Sequence, residues 1–208
     1  MAVRLKTKWH RSKRSERNRR GSARPKKLED LSSVIAINIW KLAKEVFLHM
    51  EKEGFRFRED EQAINFISEF VIYQLHITDR MIYALVEEEE RKAFINATAK
   101  YLTESVTENQ ADLLGPGDYE GAFIERMNDR LANYAECRFD NGEPGYDFNR
   151  YLARNVADIM QATDEKWVVE QVMDVEAPNV AEKIIRVVTD VLGLRQRQQS
   201  APGNSTKE

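Results

Sequence analysis

Three ionisable side chains in the most apolar part of the chain have the types and spacing that acid–base or metal chemistry uses. Glu69 and His76 are seven residues apart, and His76 and Asp79 are three apart. In an α-helix these spacings correspond to two turns and one turn, so the side chains share one face. A carboxylate and an imidazole on one face can bind a metal ion or exchange a proton with a substrate.

These three residues belong to a narrow polar stripe on the segment 59–86, which is otherwise strongly apolar. At 100° per residue the stripe covers an arc of about 100°, interrupted only by Ile72. A helix that is apolar over most of its circumference is usually central in a bundle. The stripe consists of Gln62, Asn65, Glu69, His76, Asp79, Arg80 and Tyr83.

A metal site on this stripe would need ligands from a second helix. Helical bundles that bind two iron ions use Glu-x-x-His pairs on two helices, and this chain contains no such pair. The nearest arrangement, Glu45 with His49, falls on the predicted solvent face of its own helix. We therefore expect no metal or other cofactor and assign no catalytic residue, keeping Glu69, His76 and Asp79 as the metal-ligand candidates.

A purely structural interpretation explains the same stripe and is the one we favour. Asp79 and Arg80 can form charge-assisted hydrogen bonds, and Asp79 can fix the tautomer of His76. The stripe is then a satisfied polar cluster or the solvent edge of the helix. A ligand pocket would instead require acids of another helix to converge on it, and the candidates are Glu104, Glu108, Glu125 and Asp129.

Two other groups of residues invite a chemical interpretation and have simpler ones. Cys137, the single cysteine, has no partner that completes a known nucleophile signature, so we expect a partly buried structural thiol. The segment 140–147 is rich in oxygen ligands but lacks the spacing of a calcium-binding EF-hand loop. A capped turn between helices accounts for it. Glycine-rich phosphate loops, nucleophile elbows and His-Glu-x-x-His are absent from the sequence.

The charges are distributed very unevenly along the chain. Residues 1–27 contain twelve basic residues and one acidic residue, a net charge of +11, whereas residues 28–193 carry a net charge of −16. The basic segment has too few large apolar residues to form a core, so we expect it to be disordered. Its predicted polyanion-binding residues are Arg11, Lys13, Arg14, Arg17, Arg19, Arg20, Arg24, Lys26 and Lys27.

Nucleic acid is the partner that this basic segment fits best. Dense Arg and Lys neutralise phosphates and release counterions, and Trp9 can stack on bases. No residue in the segment specifies a base sequence, so the predicted binding to RNA or DNA is electrostatic. The alternatives are contact with the acidic body, a protein partner, anionic lipid, or a merely solubilising role.

The sequence also suggests where the protein acts. No run of about 18 apolar residues is present, so we expect no membrane span. The basic segment is not followed by the apolar stretch of a secretory signal, although its arginine content leaves an organelle transit peptide as an alternative. A single cysteine excludes an intramolecular disulfide framework. We therefore expect a cytoplasmic protein.

Helical periodicity recurs along the whole body of the chain. Apolar faces with helical spacing are found in 30–53, 59–86, 87–114, from Asp118 onward, and in two or three further segments ending at Gly193. Strand patterns are nearly absent. The predicted fold is all-α: a single bundle of five to seven helices over residues 28–193, with a disordered basic arm, 1–27, and a disordered tail, 194–208.

The function expected from these features is binding rather than catalysis. We expect a non-enzymatic helical binding or scaffold module whose basic arm contacts a polyanion, most plausibly nucleic acid, without sequence specificity. The alternative is a helical-bundle ligand- or metal-binding protein or enzyme that uses the stripe around Glu69, His76 and Asp79. A homodimer is compatible with either interpretation.

Overall fold

The protein is an all-α bundle, as the periodicity predicted. A computed structural model describes residues 28–83, 85–161 and 165–193; the predictions of a disordered arm and tail fall outside these ranges. A 3₁₀ turn, Leu28–Leu31, opens the described chain. The helices that follow are α1, Ser32–Lys52; α2, Asp60–Ile82; α3, Glu88–Leu114; α4, Glu120–Ala135; α5, Tyr146–Met160; α6, Glu165–Gln171; and α7, Ala177–Leu192. None of them has the length and apolar character that crossing a membrane requires.

Helix α2 is the centre of the bundle, and its composition explains why. Almost every side chain from Ala63 to Thr78 is buried, and the helix packs against α1, α3, α4, α5 and α7. The helix ends at Ile82, four residues before the predicted end. The polar stripe is not a solvent edge over most of its length, because Glu69 and His76 are both buried.

Helix α1 follows the predicted pattern, with one difference at its start. Its buried face carries Ile35, Ile39 and Phe47, and the chain leaves the helix at Gly54, whose φ of +95° suits a residue without a side chain. Asp30 does not cap α1, because it lies in the 3₁₀ turn that precedes it. The hydroxyl of Ser32 instead donates to the Phe94 carbonyl of α3 at 3.3 Å.

The connection between α4 and α5 is a minimal hairpin. Strands β1, Phe139–Asp140, and β2, Glu143–Pro144, pair antiparallel around Asn141 and Gly142. Both turn residues have positive φ, at 55° and 83°, as a tight hairpin turn requires. The dipeptide is therefore a hairpin signal here, although no alternating strand pattern flanks it in the sequence.

The last helices form a continuous helical run with an irregular middle. A π-helical segment, Val172–Glu176, joins α6 to α7, and Pro178 lies in the first turn of α7. Glu176, at the end of the π-helical segment, is buried. Helix α4 begins at Glu120 after Tyr119, so Asp118 is not its N-cap residue.

Candidate functional site

The stripe residue Glu69 is paired with an arginine from another helix. Its side chain is 0% exposed, and the Arg130 Nε of α4 donates to its two carboxylate oxygens at 3.3 and 3.1 Å. A second contact lies one helical turn earlier on both helices, where Arg126 of α4 donates to the Asn65 amide oxygen of α2 at 2.8 Å. The two contacts fix α4 against α2 in one register.

Tyr134 continues the same α4 face and links Glu69 to His76. Its ring stacks on the His76 imidazole, with centroids 5.7 Å apart and planes 23° apart, and on the Phe148 ring of α5 at 4.5 Å. Tyr151 of α5 meets the Tyr134 ring edge-on at 4.9 Å. An aromatic layer from α2, α4 and α5 thus surrounds the polar groups of the stripe.

Burial sets the protonation state of His76. Removal from water, and to a smaller extent the positive charge of Arg80, lower the pKa of the imidazole to about 4, against the opposing effect of a hydrogen bond to the Tyr134 backbone. The ring is therefore neutral near pH 7. Its Nε2 is buried without a hydrogen-bond partner among the described residues. A neutral imidazole between aromatic rings acts mainly as a packing group.

The neighbouring acid and phenol are also shifted by burial. Desolvation raises the pKa of the Glu69 carboxyl above its usual range, and Arg130 opposes this shift. Desolvation, together with the nearby Glu69 carboxylate, raises the pKa of Tyr134. The Tyr134 hydroxyl therefore stays protonated near neutral pH, and it has no hydrogen-bond partner within the described part of the chain.

Asp79 belongs to a separate cluster at the end of α2. Its carboxylate accepts a hydrogen bond from Arg91 Nη1 of α3 at 2.6 Å, and Arg91 also donates to Glu88 at 2.9 Å. Arg91 lies over the Tyr83 ring at 5.0 Å. The predicted contact of Asp79 with Arg80 is thus replaced by one with Arg91, because the α2–α3 turn brings the start of α3 against the end of α2.

The three metal-ligand candidates do not form a common site. Glu69 is held by Arg130, His76 lies in the aromatic layer, and Asp79 is held by Arg91. In the described ranges, no group of three or more His, Cys, Asp or Glu side chains is arranged to hold a metal ion. Each of the three candidates therefore has a different partner, and they are not arranged as one ligand set.

The predicted facing carboxylates do not converge on the stripe. Arginines of α4 face Glu69, and the acids proposed to converge there are all exposed on α3 and α4: Glu104, Glu108, Glu125 and Asp129. Asp129 reaches the cluster indirectly, because it accepts a hydrogen bond from Arg130 Nη1 at 2.8 Å. One visible signal was missed. Arg126, Arg130 and Tyr134 follow one another at i+4 spacing, which places them on one face of α4 beside Phe123 and Met127.

A second buried carboxylate was not anticipated. Glu176, in the π-helical segment, accepts hydrogen bonds from His49 Nδ1 of α1 at 2.6 Å and from the Gln171 amide at 2.9 Å. His49 Nε2 lies 3.6 Å from Glu53. His49 lies on the predicted polar stripe of α1 and is 40% exposed, but it also contacts a buried acid, which the sequence did not indicate. The i+4 series Val172, Glu176, Val180 is the sequence signal for the burial of Glu176.

The remaining candidates have the simpler roles that were predicted for them. Cys137 is partly buried beside the Asn133 carbonyl, and burial raises the pKa of its thiol, which is the opposite of an activated nucleophile. Asp147 accepts hydrogen bonds from the backbone amides of Arg138 and Phe148, so it caps the α4–α5 turn. The polyanion-binding candidates of segment 1–27 lie outside the described residues.

Comparison of the chain with protein-family models, with curated proteins and with solved structures finds no match. The chemistry of the site must therefore be judged from its geometry. The cluster of α2, α4 and α5 consists of buried groups that are paired or packed with one another, which is an arrangement suited to fixing three helices in place.

Proposed function

We propose that this chain is a non-enzymatic, cytoplasmic binding module in which a helical bundle carries a basic N-terminal segment that binds a polyanion. Single- or double-stranded nucleic acid is the partner that we favour. In this mechanism residues 1–27 neutralise phosphates and supply the affinity. The bundle supplies a rigid body to which that segment is attached.

The separation of charge along the chain is the observation that carries this proposal. Twelve of the 32 basic residues fall within the first 27 positions, next to a single acid, Glu16. The body that follows is strongly acidic, so it repels phosphates and leaves the binding to the segment. A segment of this composition releases counterions when it binds nucleic acid, without reading base sequence.

The state of the polar stripe supports binding over catalysis. Glu69 and Asp79, the acids expected to do chemistry in the alternative function, are held by Arg130 and Arg91. His76 is neutral and enclosed by aromatic rings. The first described residue, Leu28, is buried in the core, so the basic segment joins the bundle at a fixed point.

The proposal predicts binding that depends steeply on salt. The affinity for a short oligouridylate and for a duplex DNA would be measured by fluorescence anisotropy over a series of salt concentrations. For the duplex, we expect log affinity to fall with log salt with a slope of about −0.9 for each phosphate contacted. A slope near zero would refute an electrostatic mechanism.

A charge variant tests which part of the chain binds. In the full-length protein, Arg11, Lys13, Arg14, Arg17, Arg19, Arg20, Arg24, Lys26 and Lys27 are replaced by glutamine, and we expect binding to be lost at physiological salt. The matched control replaces the three basic residues of the tail, Arg195, Arg197 and Lys207, and should bind nearly as well as the wild type. Equal binding by the nine-residue variant would overturn the proposal, and binding only to anionic vesicles would reassign the partner to lipid.

A further inference from the structure

Each ring nitrogen of His49 faces a carboxylate, one buried and one exposed. Nδ1 lies 2.6 Å from the buried Glu176 of the π-helical segment, and Nε2 lies 3.6 Å from Glu53 at the end of α1. The side chains of His49 and Glu53 are 40% and 47% exposed, so both groups are accessible from solvent. Glu53 and Nε2 are therefore open to a solute, whereas Glu176 is not.

The contact with Glu176 fixes the orientation of the imidazole. Gln171 donates to the same oxygen of Glu176 at 2.9 Å, so this carboxylate is itself held in place. A neutral imidazole that donates from Nδ1 keeps a lone pair on Nε2. Histidines that bind metal ions have this arrangement, in which the nitrogen that does not bind the metal donates to a carboxylate.

The separation of Nε2 from the Glu53 carboxylate suits a shared metal ion better than a hydrogen bond. Zn²⁺ binds imidazole nitrogen and carboxylate oxygen at about 2.0–2.2 Å, which places two such ligands about 3.4 Å apart in a tetrahedral site. Nε2 and Glu53 Oε1 are 3.6 Å apart, which is too long for a hydrogen bond. They also lie at the C-terminal end of α1, where the helix dipole favours a cation.

The basic residues beside this pair on α1 and α7 do not occupy it. Lys183 of α7 lies 3.3 Å from Glu45, one turn before His49. Lys52 is exposed and precedes Glu53 in the last turn of α1. In the described part of the chain, Glu53 has no basic partner other than His49.

We propose that His49 Nε2 and Glu53 bind a zinc ion, with Glu176 holding the imidazole in the tautomer that binding requires. The described residues contain no group of three or more His, Cys, Asp or Glu side chains arranged to hold a metal ion. This is therefore an open site with two protein ligands, in which water occupies the remaining positions, and not a closed structural site with four. The inference is independent of the proposed function, because it uses no residue of segment 1–27.

Isothermal titration calorimetry of the full-length chain with Zn²⁺ tests the site. We expect one ion to bind to each wild-type chain, and we expect His49→Gln to abolish this binding. The matched control is His10→Gln, which should bind zinc as the wild type does; the third histidine, His76, is buried. Equal binding by His49→Gln and the wild type, or loss of binding in His10→Gln, would overturn the proposal.

Two further variants distinguish this site from loose binding by an exposed histidine. Glu176→Gln leaves both zinc ligands in place and should weaken the affinity by about 10–100-fold, as the loss of an outer hydrogen-bonding partner does. Glu53→Gln removes a ligand and should weaken the affinity at least as much. Circular dichroism verifies folding, and the exposed Glu53→Gln remains the test if Glu176→Gln does not fold. Unchanged affinity in either folded variant would overturn the proposal.

Nitrogen NMR of the histidine side chains locates the ion directly. Zinc should shift the Nε2 resonance of His49 and leave the Nδ1 proton in its hydrogen bond to Glu176. Loss of the Nδ1 proton, with a shift at that nitrogen, would place the ion between His49 and Glu176 and would overturn the assignment of Glu53 as a ligand.

Discussion

Two buried glutamates of the bundle are compensated in different ways. Glu69 and Glu176 are both almost completely removed from solvent. Glu69 faces a guanidinium, Arg130, that is charged at every physiological pH. Glu176 faces His49, whose ring nitrogen donates to it at 2.6 Å, together with the Gln171 amide. The first contact involves regular helices, and the second involves a π-helical segment.

The two sites differ in whether the buried carboxylate is stabilised mainly by a positive charge or by several hydrogen-bond donors. A buried carboxylate without a counter-charge is costly, whereas one that accepts several hydrogen bonds can be held by neutral donors. Glu69 depends on a single guanidinium nitrogen, and it lies deeper than its partner. Glu176 has two donors on different elements, and His49 is itself 40% exposed. The cluster of α2, α4 and α5 is therefore the more fragile of the two.

The largest effect is expected when the permanent charge is removed. Arg130→Met leaves Glu69 buried without its cation. Breaking a buried pair in this way costs about 3–5 kcal/mol, and we expect about 3 kcal/mol because the Arg130 side chain is 24% exposed. Urea unfolding followed by circular dichroism measures the free energy of unfolding.

The double variant distinguishes lost charge compensation from lost packing. Glu69→Gln combined with Arg130→Met removes the buried charge along with its partner, and most of the lost stability should return. If the double variant is as unstable as Arg130→Met alone, the aliphatic stem of Arg130 carries the effect, and the contrast between the two glutamates disappears.

The sequence predicted the helices far better than it predicted these partners. Periodicity is a local property, so the buried faces of α1, α2 and α7 could be inferred from residues three and four apart. Arg130 is 61 positions from Glu69, and Arg91 competes with the adjacent Arg80 for Asp79. Which cation reaches which acid depends on how the helices pack, and local spacing does not encode that packing.

The next effect concerns pH and the aromatic layer beside Glu69. The pKa of His76 is about 4 in the folded chain, against an ordinary value of about 6.5. As pH falls through this window the unfolded chain binds the proton first, so the free energy of unfolding falls, by up to about 3 kcal/mol near pH 4. Above pH 6.5 this contribution is constant.

A non-titrating variant isolates the histidine, because the raised pKa of Glu69 acts in the opposite direction. The folded chain protonates Glu69 more readily than the unfolded chain does, which stabilises it as pH falls. His76→Gln keeps the Glu69 contribution and removes that of the imidazole. Its stability should decline less than that of wild type between pH 6.5 and 4, and identical pH profiles would show that the folded chain protonates His76 as readily as the unfolded chain does.

A smaller effect is expected at the second glutamate. His49→Leu removes the closest donor to Glu176 and leaves the Gln171 amide at 2.9 Å. Loss of one partner from a buried acceptor costs about 1–3 kcal/mol. We therefore expect His49→Leu to lower the free energy of unfolding by less than Arg130→Met does, when both are measured by urea unfolding at pH 7. A larger loss would mean that His49 compensates Glu176 chiefly through its charge.

The contact between His49 and Glu176 could not be inferred from the sequence either. His49 follows the exposed side of α1 in a regular helical projection, beside Glu45 and Lys52. Its partner Glu176 lies 127 positions away, in the π-helical segment before α7. The i+4 spacing of Glu176 indicates that it is buried, but local spacing does not show which donor reaches it.

The smallest effect is expected at an exposed ion pair that joins nearly the same elements. Lys183 of α7 lies 3.3 Å from Glu45 of α1, one turn before His49, and both side chains are 57% exposed. Lys183→Ala should cost about 0.2–1 kcal/mol, because water already solvates both charges of the pair and solvates Glu45 when Lys183 is removed. The pair matches His49 and Glu176 in the helices it connects and differs from them in burial. If Lys183→Ala and His49→Leu lower the free energy of unfolding by the same amount, the effect of His49→Leu comes from the position of α1 against α7. The burial of Glu176 would then not explain it.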